Sequence, residues 1–191
     1  ITKTLRLQQI LAGFIAPDAD TAPTWCEEVP RLDALKELLE SFGQEKVIIW
    51  TDYRATYSKI GALCEKLKLE HTFLTGMQSI TEKNLAIEEF CRGSKQVLIA
   101  NPSAGGVGVN LIEAKYAVYY TRSYSLEKFL QSEGRNYRRG SELHDKITHY
   151  HLVTPGTLDE VIAEALDKKQ AIGEVILKWA KEVVDTCLVQ V

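Results

Sequence analysis

Two short segments concentrate the groups that could handle a phosphate. The first is Gln131-Ser-Glu-Gly-Arg-Asn-Tyr-Arg-Arg-Gly140, placed where a helix should end. Arg135 and Arg138 stand three apart, so a helix running from Ser125 to about Arg138 presents both guanidiniums on one side, one turn apart. Such a pair suits a phosphate that gains charge during transfer, because guanidinium donates bidentately and stays protonated. From Arg122 to Arg139 there are five basic and two acidic residues, a local +3 on a chain of net charge −3. Taken alone, the segment also fits a solvated basic helix end that complements the helix dipole. The second segment is Asn101-Pro-Ser-Ala-Gly-Gly-Val-Gly-Val-Asn110, directly after the apolar run Gln96–Ala100. Gly105, Gly106 and Gly108 would let backbone amides approach a phosphate or another chain, whereas a tight turn explains one glycine better than three. A dinucleotide-binding turn fits poorly. Gly106-Val-Gly108 opens a G-x-G, but position 111 is Leu. Only about seven residues then remain before Tyr116, where a crossover with its helix needs roughly ten or more.

The elements that must position these segments follow from periodicity. Leu7, Ile10, Leu11 and Phe14 repeat at helical spacing, and Pro17–Pro30 reads as a loop or linker. Helical spacing resumes at Leu32, Leu35, Leu38, Leu39 and Phe42 and stops at Gly43. Lys46–Thr51, Glu70–Thr75, Gln96–Ala100, Tyr116–Thr121 and Ile147–Thr154 are predicted strands; Tyr53–Leu67 is a predicted helix. Ser79-Ile-Thr-Glu82 is a capping box opening a helix to about Phe90, and Thr157-Leu-Asp-Glu160 a second, opening a long helix through Trp179. Strands alternating with helices predict one α/β domain with a mostly parallel sheet covered on both faces.

Composition narrows the function classes. A chain of 191 residues with 45% hydrophobic and 26% charged residues makes a single well-packed domain, not a disordered segment. A net charge of −3 excludes a cationic coat over the whole domain, so a nucleic-acid site must be a local patch. No apolar run approaches the roughly 18 residues of a membrane span, and no signal peptide opens the chain. Cys26, Cys64, Cys91 and Cys187 lie far apart without a CxxC pair, which argues against a zinc site and for an intracellular, reducing compartment, cytoplasm or nucleus. His149 and His151 share a strand face without a carboxylate or thiol at ligand spacing, so they read as a packed pair and not a metal site. His71 and His144 are expected at the surface. Trp25, in the loop, reads as packed against the domain or as a docking aromatic. Tyr124, Tyr137 and Phe129 lie among the arginines, an arrangement compatible with DNA contact, with Phe129 the most core-like.

Four segments in order carry a resemblance: Lys46-Val-Ile-Ile-Trp-Thr51, Phe73-Leu-Thr-Gly76, Ser103-Ala-Gly-Gly-Val-Gly-Val-Asn-Leu111 and Gln131-x-x-Gly-Arg-x-x-Arg-x-Gly140. Together they resemble the second lobe of superfamily-two helicases, and within them the Swi/Snf-type double-stranded DNA translocases. The likeness extends from about Leu5 to the C-terminal helix. It implies a RecA-like three-layer lobe over residues 31–156, preceded by a helix and linker at 1–30 and followed by a bracing helix at 157–191. The chain departs from the family pattern at Asn101-Pro102, where two small hydroxyl residues are common. It departs again at Arg122-Ser123-Tyr124 in place of Trp-Asn-Pro, and at Ser141 in place of Gln.

The resemblance also implies roles. Arg135 and Arg138 would be arginine fingers reaching across a cleft to the γ-phosphate of ATP, with Gln131 aligning them. Gly105, Gly106, Gly108 and Asn110 would form the loop that couples nucleotide to DNA. Thr75, Gly76, Ser103 and Gly105 would touch the DNA phosphate backbone without reading sequence. The 191 residues contain no G-x-x-x-x-G-K-[ST] and no acidic pair after a strand, so ATP and Mg²⁺ are expected only together with a first RecA-like lobe. That lobe would lie upstream of Ile1, since the start reads as a piece of a longer chain. The partners implied are duplex DNA and that lobe, with no membrane. A strand-separating DNA or RNA helicase, and a non-catalytic nucleic-acid or protein adaptor, are the rival readings.

Overall fold

The computed structural model describes residues 2–16, 22–104, 109–122, 125–168 and 179. At its centre are five strands: β3 (Val47–Trp50), β4 (His71–Leu74), β5 (Val97–Ala100), β6 (Tyr116–Tyr119) and β7 (Thr148–His151). All are parallel, in the order β4-β5-β3-β6-β7, with Ile48 opposite both Leu98 and Ala117. Every residue of β3 and β5 is buried, as expected of β-branched runs covered on both faces.

Among the described residues six helices flank this sheet: α1 (Thr2–Leu11), α2 (Pro30–Ser41), α3 (Arg54–Lys66), α4 (Ile80–Cys91), α5 (Leu126–Asn136) and α6 (Leu158–Asp167). Alternate residues of the strands face two cores. Ile48, Trp50, Leu98 and Ala100 pack with Phe90 of α4, Phe129 of α5 and Ile162 of α6. Val47, Ile49, Val97 and Ile99 pack with Leu35 and Leu39 of α2 and Ile60 and Cys64 of α3. The connection from β3 to β4 through α3 crosses one face, and the steps back through α4 and α5 cross the other. Right-handed crossovers require this division. Between β5 and β6 the described residues contain no helix, consistent with the short spacing there.

Local signals placed most boundaries. The Ser79 box forms in full: its hydroxyl accepts from Glu82 N at 3.3 Å and its amide donates to the Glu82 carboxylate at 2.7 Å. At α6 the Thr157 hydroxyl accepts from Asp159 N at 3.3 Å, but the Glu160 carboxylate reaches Gly156 N at 2.9 Å instead of Thr157. The box predicted there is therefore half-formed. The helix expected through Trp179 is described to Asp167, and Trp179 itself packs on the first core. Within the predicted loop 17–30, Thr24–Trp25 (β2) pairs antiparallel with Phe14–Ile15 (β1). Phe14 and Trp25, with ring centroids 5.5 Å apart, hold this pair together. Trp25 is thus packed, and the Lys59 ammonium lies 5.0 Å from its ring centroid. Among the described residues, no helix is long and apolar enough to cross a membrane.

Candidate nucleotide and nucleic-acid site

Parallel strands send the residues that follow them to one edge of the sheet, the edge where open α/β sheets bind ligands. Here Asp52 follows β3, Thr75 β4, Asn101 β5 and Thr121 β6, and a polar network joins Asp52, Asn101 and Thr121. The Asn101 amide nitrogen lies 3.3 Å from both Asp52 O and the Tyr57 hydroxyl. Thr51 Oγ1 lies 2.7 Å from Thr56 Oγ1 and 3.3 Å from Thr121 Oγ1, and Asp52 N donates to Thr121 Oγ1 at 2.8 Å. Burial pushes the Asp52 carboxyl up to about 6, against the opposing pull of Lys128 and Thr121.

Of the predicted DNA-contact residues, Thr75, Gly76 and Ser103 lie along this edge. Ser103 is exposed, its amide donating to Asn101 Oδ1 at 2.8 Å in a turn that orients the hydroxyl-bearing residue. Gly76 is exposed, with open space where a Cβ would stand. Thr75 is buried, and Gln78 Oε1 accepts from its amide at 2.7 Å, so Gln78 shapes this loop. Gly105, Gly106 and Gly108 lie outside the described residues.

The arginine segment sits toward the other end of α5, which runs back against the strand direction. Arg135 is buried, and its Nη1 donates to Val109 O at 3.3 Å. Its own carbonyl accepts from Leu111 N at 2.9 Å, so the end of α5 is bonded to the outgoing limb of the glycine-rich loop. Burial, then the neighbouring Arg138 charge, draw the Arg135 pKa below the ordinary guanidinium value. Guanidinium remains charged throughout the useful pH range. Arg138 is exposed and lies beyond the helix, which ends at Asn136 with Tyr137 in a non-helical conformation. The two arginines therefore do not share a helix face as their spacing predicts. At the helix end Asn136 turns inward, its Nδ2 donating to Ala114 O at 3.2 Å and its Oδ1 lying 3.1 Å from His149 Nε2. Gly140 then takes a positive φ of 103°, which favours glycine. Gln131 is exposed on α5 and donates to Glu127 at 3.0 Å; Asn110 is exposed and its carbonyl faces the Cys91 thiol at 3.7 Å.

Most of the remaining candidates are absorbed by packing. His151 stacks on Tyr119 with centroids 4.7 Å apart and accepts from Arg122 Nε at 3.0 Å. His71 and His144 are half-buried rather than at the surface: His71 packs edge-on against Phe73, and His144 Nε2 lies 3.0 Å from Ile112 O. Phe129 is core, Tyr137 is 72% exposed, and Tyr124 lies outside the described residues. Burial pushes the Cys64 and Cys91 thiols up to about 12, which makes them unreactive at neutral pH. Among the described residues no cluster of three or more His, Cys, Asp or Glu could hold a metal ion. Sequence reading missed Asp52, Gln78 and Asn136, and took His149 as a packed strand residue, which it is. For Asp52 the signal was available, since it directly follows a buried parallel strand.

A five-stranded parallel sheet covered by helices on both faces is the architecture of a RecA-like lobe. Residues 30–140 match the family model described as the helicase conserved C-terminal domain. The chain belongs to that family, and within it to the Swi/Snf-type lobes of superfamily two. It is 31% identical over 159 residues to a putative ATP-dependent helicase/translocase, YwqA of Bacillus subtilis, covering 80% of this chain and 17% of that protein. It is 26% identical over 161 residues to the human DNA repair and recombination protein RAD54B, covering 81% and 18%. The C-terminal part of the Fun30 ATPase domain superposes with a TM-score of 0.65 at 23% identity, over 72% of this chain and 45% of that one. The chain spans about a fifth of the length of the curated relatives it matches.

Proposed function

We propose that this chain is the second motor lobe of an ATP-dependent double-stranded DNA translocase. ATP and Mg²⁺ bind on a first RecA-like lobe of the parent protein, and this lobe closes over them. The observation that carries the reading is the join between the arginine segment and the glycine-rich loop. Arg135 bonds through its carbonyl and its guanidinium to residues 109–111, while Arg138 stands exposed beside it. An exposed guanidinium on an anchored backbone can meet a γ-phosphate held by another body, and Arg135 ties that event to the loop. Gly105, Gly106, Gly108 and Asn110 then transmit closure toward the edge where Thr75, Gly76, Ser103 and Gly105 contact the DNA backbone. Opening and closing moves the two lobes along duplex DNA. Residues 31–156 form the lobe, with 1–30 and 157–191 as flanking connector and brace.

The test is ATP turnover by the two-lobe protein with and without blunt duplex DNA. Arg138→Ala is expected to lower the DNA-stimulated rate about 10³-fold or more, the range known for arginine fingers, while leaving DNA affinity intact. A variant that keeps most of its turnover refutes the finger assignment. Stimulation by single strands or RNA alone, with none by duplex, refutes the translocase and favours a strand-separating helicase.

A further inference from the structure

The end of α5 is held by a partly buried polar chain that none of the roles above uses. Asn136 is fully buried, at 0% exposure, between Arg135 and the exposed Tyr137-Arg138. Its Nδ2 donates to Ala114 O at 3.2 Å, across 22 residues, and its Oδ1 lies 3.1 Å from His149 Nε2 on β7. His149 Nδ1 in turn lies 3.7 Å from the Glu133 carboxylate, one turn back on α5.

The chemistry of the partners fixes the orientation of each group. Ala114 O can only accept, so the Asn136 nitrogen must face it and the Asn136 oxygen must face His149. That oxygen can only accept, so His149 Nε2 carries a proton in both charge states of the ring. Nδ1 is then the nitrogen that gains or loses the second proton, and it does so facing Glu133. The bond from His149 to Asn136 therefore persists whichever charge the imidazole carries.

We infer that Asn136 and His149 are positioning residues: the pair terminates α5 and sets where the backbone releases Arg138. The inference rests on the proposed role of Arg138 as a finger. Leu111 N already occupies the Arg135 carbonyl, and the inward turn of Asn136 fixes the last helical residue in the core; continued winding would carry Arg138 onto the same face as Arg135. A displacement of about 1 Å at a group that must meet a reacting phosphate can cost 10²-fold in rate.

Two measurements test this. In this chain, ¹⁵N–¹H correlation spectra of neutral His149 should show a protonated Nε2 and a bare Nδ1; the opposite tautomer overturns the clamp. In the two-lobe protein, His149→Leu should lower kcat for ATP by about 10²-fold, with KM and DNA affinity unchanged. His149→Gln places an amide N–H where Nε2 stood and should restore most of that rate. Leu and Gln variants of equal thermal stability and equal kcat would overturn the positioning role. If Arg138→Ala itself left turnover intact, the finger reading would fail, while the nitrogen spectra would still decide the clamp.

Discussion

Arg31 links the two layers of the lobe, and its removal gives a sharp test of how they are joined. The residue sits at the start of α2 and is 7% exposed. Its guanidinium donates to Tyr120 O at 2.8 Å, to Thr154 Oγ1 at 3.2 Å and to the Asp159 carboxylate on α6. The two side chains of the ion pair are 5% and 12% exposed. Tyr120 follows β6 and Thr154 follows β7, so one side chain reaches from a helix on one face, past the strand ends, to a helix on the other. Arg31→Met keeps most of the stem but leaves the Asp159 carboxylate with only Thr154 N, at 3.3 Å, and leaves Tyr120 O without this donor. Stranding one partner of a buried pair costs about 3–5 kcal/mol. At about 2–4 °C per kcal/mol for a domain of this size, the midpoint should fall by about 6–20 °C. Urea unfolding followed by circular dichroism, with calorimetry alongside, measures both. The double variant Arg31→Met/Asp159→Leu should return to within about 1 kcal/mol of the parent, because an apolar pair can replace a buried ion pair at little cost. A single-variant loss below about 1 kcal/mol, or a double variant whose loss is the sum of the two singles, would refute the reasoning.

Two further predictions concern pH. Asp52 has its carboxyl raised from 3.8 to about 6 by burial, so the folded state holds a proton that the unfolded state releases, and stability falls as pH rises through that window. Asp52→Asn removes the cost and should stabilise the chain at pH 7.5 by up to about 3 kcal/mol, the gain vanishing near pH 4; a destabilised variant at pH 7.5 would contradict this. His151 has the opposite sign, lowered from 6.5 to about 3 by burial, then by Arg122 and His149. Below pH 6.5 the unfolded chain takes up a proton that the folded chain refuses, so stability should drop by about 1.4 kcal/mol per pH unit at most. Between about pH 4 and 6 the two effects oppose each other. Urea unfolding across that range should find the Asp52→Asn variant falling steeply relative to the parent and an Asp52→Asn/His151→Phe variant level; equal slopes in both would count against the His151 assignment.

The sequence by itself determined the elements whose signals are local. Buried β-branched runs marked β3 and β5, Ser79 and Glu82 marked the start of α4, and the short spacing from Gly108 to Tyr116 ruled out a crossover helix. These depend on residues within a turn or two of one another, so a linear pattern carries them. Order and spacing of the four motif segments were likewise enough to define the family. What only the tertiary structure decided depends on partners far along the chain. The β1–β2 pair exists because Phe14 meets Trp25, and neither dipeptide has a strand pattern of its own. The resemblance implies that Thr75 touches the DNA backbone, and only the fold shows that it is buried with its amide bonded to Gln78. The largest difference is the end of α5. Spacing alone carries the helix through Arg138 and puts both arginines on one face. Ala114 and His149, reached across 22 and 13 residues, instead hold Asn136 in the core, at the residue where the helix ends. A buried amide must find its partners wherever the fold places them, and that demand outweighs the few tenths of a kcal/mol by which one residue favours another turn of helix.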